Sequence, residues 1–187
     1  MIRAFVALPL PETLKDTLEA LQAGLPAGRA SARETLHLTL AFAGEHLPET
    51  IEALHEELGA IQAPAFEVNL CGLGTFGKGS PKLLYADVRK NPTLEALSRQ
   101  VKSAIRRAGI TPSGERYRPH VTLARFRRPP GPEAEARLAG FISAHAGLAL
   151  PPFRADAFAL YRSTLRPGTS PLHEALASYP LIAPPAP

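Results

Sequence analysis

Apolar residues arrive along this chain in two rhythms. Short runs carry them continuously or at every second position, the mark of strands. Longer segments carry them every three or four residues, the mark of helices. Residues 2–8, IRAFVAL, predict a strand. A helix follows from Pro11, with proline in the first turn, an acidic residue beside it, and Leu14, Leu18 and Leu21 on one face. Residues 36–42, LHLTLAF, predict a strand closed by Gly44. From Pro48, a second helix spaces Ile51, Leu54, Leu58 and Ile61 as a core stripe. Residues 65–73 and 82–90 predict two strands, and the glycine-rich GLGTFGKGSP between them predicts a hairpin loop.

The order then recurs. A helix over 91–109 has Asn91 as N-cap, Pro92 at its first position and Gly109 past its end. PHVTLARF at 119–126 predicts a strand, GPEAEARLAGFISAHAG at 131–147 a helix, and FRADAFALYRS at 153–163 a strand. A weaker strand lies near LHEALASYPL. Each half therefore runs helix, histidine strand, helix, strand, strand, which implies an internal duplication. No linker, charge block or low-complexity tract separates the halves, so they read as two lobes of one unit.

The histidine strands carry the candidate chemistry. Side chains alternate in a strand, so His37 and Thr39 share one face while Leu36, Leu38 and Leu40 take the other. His120 and Thr122 do the same opposite Val121 and Leu123. Two His-x-Thr strands by chance is roughly a 5% event for this composition, and matched places in a duplicated order make chance less credible. Related by a pseudo-two-fold axis, the strands would set both imidazoles across one groove. Paired imidazoles suit proton transfer near neutral pH, and the hydroxyls suit the oxygens of a phosphate between them. A metal site would want a third histidine or carboxylates at ligand spacing, and none is expected. His46, His55, His145 and His173 stand apart in the sequence and read as surface residues.

Composition adds little until charge is considered. The chain has 187 residues, 45% of them apolar, enough for a packed core. No apolar run reaches the roughly 18 residues of a membrane span, and the N-terminus lacks a cleavage site. The single cysteine, Cys71, excludes an internal disulfide, and a reducing cytoplasm is the simplest compartment. The net charge is +4, compatible with an anionic partner. Five arginines, Arg116, Arg118, Arg125, Arg127 and Arg128, surround the second histidine strand. They read either as a solvated basic edge or as a clamp on phosphate or an RNA backbone. Strict alternation places Arg125 off the face of His120 and Thr122 unless a bulge or the strand end turns it. Phe42 and Phe126, at the exits of the two strands, read as core or as platforms for a base.

These motifs resemble the 2H phosphoesterase superfamily and, within it, the bacterial and archaeal RNA 2′,3′-cyclic phosphodiesterases of the 2′-5′ RNA ligase family. The resemblance rests on RAFVALPLP, ETLHLTLAFAGE, GLGTFG, RYRPHVTLARF and LYRSTLRPG, and spans nearly the whole chain. It implies an α+β, bilobal fold with two antiparallel sheets around a central cleft. The expected organisation is one domain, 1–187, with lobes near 1–90 and 91–187 that can exchange strands. The implied activity is cleavage of RNA-terminal 2′,3′-cyclic phosphate to a 2′-phosphate, with reversible ATP-independent 2′-5′ joining. His37 would be the general acid and His120 the general base, with Thr39, Thr122 and Arg125 on the phosphate. Phe42, Arg118 and Tyr161 would contact the base or RNA, and Ser163 the edge of the site. No cofactor or metal is implied. The expected partner is an RNA end, such as that of a tRNA fragment, bound by a monomer. The family's tryptophan before the first motif is absent from GRASARE, and His173 stands where a tyrosine is usual. Alternatives are a phosphodiesterase of small cyclic nucleotides and a non-catalytic nucleotide-binding module.

Overall fold

The computed structural model describes residues 1–112, 114 and 116–183. In chain order the elements are β1 (Ile2–Pro9), α1 (Glu12–Ala23), β2 (Arg29–Ala30), a 3₁₀ turn (Arg33–Thr35), β3 (His37–His46), α2 (Pro48–Gly59), β4 (Phe66–Val68), β5 (Leu70–Phe76), β6 (Leu83–Val88), α3 (Pro92–Arg107), β7 (His120–Arg125), α4 (Pro132–Ala144), β8 (Phe153–Ala155), β9 (Ala157–Thr164) and β10 (Leu172–Pro180). The fold is α+β, with two antiparallel sheets of unequal size. The larger runs β10-β9-β1-β3-β7-β6-β5, with β2 also on β7; the smaller is β4-β8.

The helices begin where the sequence places their signals. Pro48 and Pro92 open α2 and α3, where the missing N–H costs nothing. The Asn91 side chain accepts from Leu94 N at 3.0 Å, and Gly109 takes φ +80° just beyond α3. Leu14 and Leu18 of α1, Ile51, Leu54 and Leu58 of α2, and Leu97, Val101 and Ile105 of α3 are buried in one core. Leu38 and Leu40 of β3 and Val121 and Leu123 of β7 enter that same core. The predicted apolar face of each histidine strand is thus sealed by helices, which leaves the His/Thr face for the groove. Leu138 of α4 joins a smaller cluster with Leu84 and Ala124.

Three segments differ from the sequence reading. The glycine-rich stretch is not a loop through its length, because residues up to Phe76 form β5 and pair with β6. Cross-strand hydrogen bonds override the weak strand propensity of Gly74, while Gly72 takes φ +60° at a bulge outside the ladder. The absence of a Cβ at Gly74 is used by a neighbour, since one there would lie 2.6 Å from the Tyr85 ring. The predicted strand over 65–73 divides into β4 and β5 in different sheets, and residues 153–163 divide likewise into β8 and β9. The weak last strand is a nine-residue partner of β9.

Strands cross between the halves of the chain. β9 and β10 extend the sheet from β1, while β5 and β6 extend it from β7. At the middle, β3 and β7 meet through one pair, Leu38 with Val121.

Candidate active site

That single pair builds the site. Leu38 follows His37 and Val121 follows His120, so antiparallel register sets His37 beside Thr122 and Thr39 beside His120. Leu38 and Val121 are fully buried, so all four polar side chains take the opposite face. The central seam therefore brings together residues 83 positions apart in sequence.

Both imidazoles are fixed by the same contact. His37 Nδ1 lies 2.7 Å from the Thr35 carbonyl, and His120 Nδ1 lies 2.7 Å from the Arg118 carbonyl, each two residues upstream. A carbonyl only accepts, so Nδ1 carries the proton and Nε2 presents its lone pair. His37 Nε2 accepts from the Thr39 hydroxyl at 3.0 Å. The carbonyl that orients His37 is itself secured. The 3₁₀ turn holds Thr35, and Arg33 within that turn pairs with Glu12, Asp16 and Glu19 along α1.

Each imidazole is also walled by aromatic rings. Phe5 lies 4.7 Å from the His37 ring and stacks on Tyr161 at 5.2 Å; His173 meets His37 edge-on at 5.2 Å. Phe76 and Tyr85 meet His120 edge-on at 4.9 and 5.4 Å. The Arg118 guanidinium lies 4.6 Å over Phe76, and its Nη2 donates to the Tyr85 hydroxyl at 3.3 Å. Burial pushes the His37 imidazole down to about 4, helped by repulsion from His173, His120 and Arg125. Burial lowers His120 too, and the Arg125 and Arg118 charges act in the same direction. The Leu38–Val121 register sets His120 on the same face of the sheet as His37.

Arg125 reaches the groove because β7 bulges. Tyr85 pairs with Thr122 but Leu84 pairs with Ala124, so Leu123 is the extra residue. Leu123 and Ala124 are both buried, alternation shifts by one, and Arg125 emerges exposed on the open face. β3 repeats this. Ala7 pairs with Thr39 and Val6 with Ala41, which leaves Leu40 extra and turns Phe42 outward, 59% exposed. Thus HLTLAF and HVTLAR fold alike, and Phe42 and Arg125 occupy corresponding places. Each bulge carbonyl is met by a buried polar side chain. Ser98 Oγ of α3 donates to the Leu40 carbonyl at 2.9 Å, and Gln22 Nε2 of α1 donates to the Leu123 carbonyl at 2.8 Å. Ser98 and Gln22 are the buried polar residues of the described core. A bulged carbonyl without a partner would carry an unmet desolvation cost.

The 2′-5′ RNA ligase superfamily matches residues 10–166 of this chain, a span that includes both histidine strands. The chain belongs to the 2′-5′ RNA ligase superfamily. A Geobacillus stearothermophilus protein named RNA 2′,3′-cyclic phosphodiesterase is 28% identical over 97% of this chain, which spans only 58% of that relative. One of the same name from Escherichia coli is 32% identical over 66% of this chain and 71% of its own length. The crystal structure of E. coli LigT complexed with 3′-AMP superposes with a TM-score of 0.76 at 27% identity, covering 96% of this chain and 98% of that one.

In this member of the superfamily the fold gathers His37, Thr39, His120, Thr122 and Arg125 at one groove, with Phe42, Arg118 and Tyr161 at its walls. Ser163 lies on β9 opposite His173. Phe126 is not a free platform: it packs under the chain at Gly28, where a Cβ would lie 2.9 Å from its ring and φ is +90°. His173 is not a surface residue apart from the site. It packs on His37 and Phe5, and its buried Nδ1 has no hydrogen-bond partner among the described residues. Phe5, Phe76, Tyr85, Gln22 and Ser98 were not singled out from sequence. The repeated Thr-Leu-Ala after each histidine was the available signal for the bulges.

Proposed function

We propose that this protein hydrolyses RNA-terminal 2′,3′-cyclic phosphates to 2′-phosphates without a metal ion, and reversibly joins RNA ends by a 2′-5′ linkage when a 5′-hydroxyl takes the place of water. One observation carries the reading: two imidazoles, each with Nδ1 tied to a carbonyl, offer Nε2 at one groove beside threonine hydroxyls and Arg125. The names of the relatives in the superfamily support the same substrate.

His120, the less enclosed imidazole, takes a proton from water as the water oxygen bonds to phosphorus. The P–O3′ bond breaks in line, and His37 gives its proton to the departing O3′. Phe42 lies on the strand of His37, so a base stacked there places the ribose, and O3′ with it, on the His37 side. His37 is neutral in the empty groove at pH 7 and takes its proton as the phosphate anion enters. Thr39, Thr122 and Arg125 meet the non-bridging oxygens, where charge develops. A 5′-hydroxyl in the place of water forms a P–O5′ bond as P–O3′ breaks, with the same two proton transfers, and leaves a 2′-5′ linkage; its microscopic reverse is cleavage of that linkage to the cyclic phosphate. The same reading makes the protein a cytoplasmic monomer acting on RNA ends such as those of tRNA fragments.

The test uses a short RNA ending in a 2′,3′-cyclic phosphate, incubated in excess EDTA, with the terminal phosphate identified. The expected product is a 2′-phosphate, and His37→Ala and His120→Ala each lower kcat by about 10²- to 10⁴-fold. Nucleotide binding without turnover would make the groove a receptor instead.

A further inference from the structure

Arg29 is placed where no sequence motif pointed. It sits in β2 directly opposite Arg125, so the two side chains share a face of the sheet. Two like charges across a strand pair repel, and neither forms an ion pair among the described residues. Five arginines, Arg33, Arg107, Arg137, Arg154 and Arg162, each pair with a carboxylate; what sets Arg29 and Arg125 apart is that they face one another across a strand pair. Both Arg29 and Arg125 are exposed. Arg29 is held in place all the same. Its Nη1 donates to the Gly168 carbonyl at 3.1 Å, across to the β9–β10 connection. β2 itself is pinned to β7 through Gly28 against Phe126 and through Ser31 N on the Leu123 carbonyl at 2.8 Å. The result is a fixed, unneutralised guanidinium one strand away from Arg125, whose charge reaches both catalytic histidines.

An uncompensated pair of guanidiniums calls for two anions or one shared between them. Neighbouring strands are about 4.8 Å apart, and long side chains can splay further, which suits successive phosphates of a nucleic-acid strand. We propose that Arg29 binds the internucleotide phosphate immediately 5′ of the cyclic end, so that the enzyme selects RNA of two or more nucleotides over a cyclic mononucleotide. This rests on the RNA-end reading above and separates it from the small-nucleotide alternative. Arg29 takes no part in the bond-breaking step.

The experiment compares 2′,3′-cyclic AMP, the dinucleotide ApA ending in a 2′,3′-cyclic phosphate, and the same dinucleotide with a neutral methylphosphonate linkage. The wild-type protein is expected to favour the charged dinucleotide in kcat/KM by about tenfold over the other two, the scale of one charge-assisted contact. Arg29→Ala is expected to erase that preference, chiefly through KM, and to leave turnover of cyclic AMP unchanged; Arg29→Lys restores part of it. The methylphosphonate comparison needs no variant, so misfolding of Arg29→Ala cannot hide the answer. Equal kcat/KM on all three substrates, or equal losses on all three in a folded Arg29→Ala protein, would overturn the role of Arg29. Absence of turnover on every substrate would overturn the phosphodiesterase reading itself.

Discussion

His37 joins two demands that pull against each other. Its ring is enclosed by Phe5, Tyr161 and His173, which fixes its direction and lowers its proton affinity to about 4. Yet the proposed chemistry needs one protonated and one neutral imidazole. In the free protein both are protonated below about 4, and both are neutral above the pKa of His120, which lies under the ordinary 6.5. The kcat/KM profile is therefore expected to peak on the acid side of pH 6.5 and to fall toward neutrality. His173 is among the groups that hold His37 down, so His173→Phe should move the acid limb upward by up to about one unit while keeping the packing. Rate measurements from pH 3.5 to 8.5 on both proteins test this; an acid limb unmoved in His173→Phe would remove His173 from the account.

At the scale of elements, the two bulges matter more than the strands that contain them. A regular β3 would turn Phe42 away from the groove, and a regular β7 would turn Arg125 away. Ser98 and Gln22 hold the extra residues by their carbonyls from beneath, one from α3 and one from α1. Ser98→Ala is expected to cost about 1–3 kcal/mol of stability by leaving the Leu40 carbonyl without its side-chain donor, and Gln22→Leu about 1 kcal/mol, since it removes a donor from the Leu123 and Ser31 carbonyls while Ser31 N still meets Leu123. Their functional effects should differ. Gln22→Leu loosens the bulge that presents Arg125 and should weaken inhibition by inorganic phosphate. Ser98→Ala loosens the bulge that presents Phe42 and should weaken binding of a nucleoside 2′-phosphate more than that of phosphate. Urea melts and paired inhibition constants separate these outcomes; identical effects of both variants on phosphate would reject the division of labour.

The whole molecule is held together by exchanged strands. β9 and β10 complete the sheet around β1 and β3, and β5 and β6 complete it around β7, while the direct seam between β3 and β7 is one residue pair. Neither half of the chain owns the strands it needs. Fragments 1–90 and 91–187 are accordingly expected to be unfolded alone by circular dichroism and to regain a common fold on mixing, whereas the intact chain should unfold in one transition. A fragment that folds cooperatively by itself would mean that the lobes, and not the exchanged sheet, are the folding units.

The sequence by itself determined the helices, the main strands and the candidate polar groups. Period-two and period-3.6 patterns located the four helices and the main strands, because those patterns follow from local geometry and from the need of each element to bury one face. The same alternation put His37 with Thr39 and His120 with Thr122, and the duplicated order implied that they meet. Only the tertiary structure decided what depends on contacts between distant residues. Residues 73–76 became a strand because β6 supplied hydrogen bonds that glycine propensity does not foretell. Residues 153–163 broke in two because Phe153–Ala155 pairs with β4 and not with β1. Arg125 faces the groove because β7 bulges at Leu123, where a helix side chain 101 positions earlier and Ser31 N both meet the bulge carbonyl. His173 and Arg29 stand alone in sequence and acquire meaning through their neighbours, since burial, charge and ring contact are properties of a place in space and not of a position in a chain.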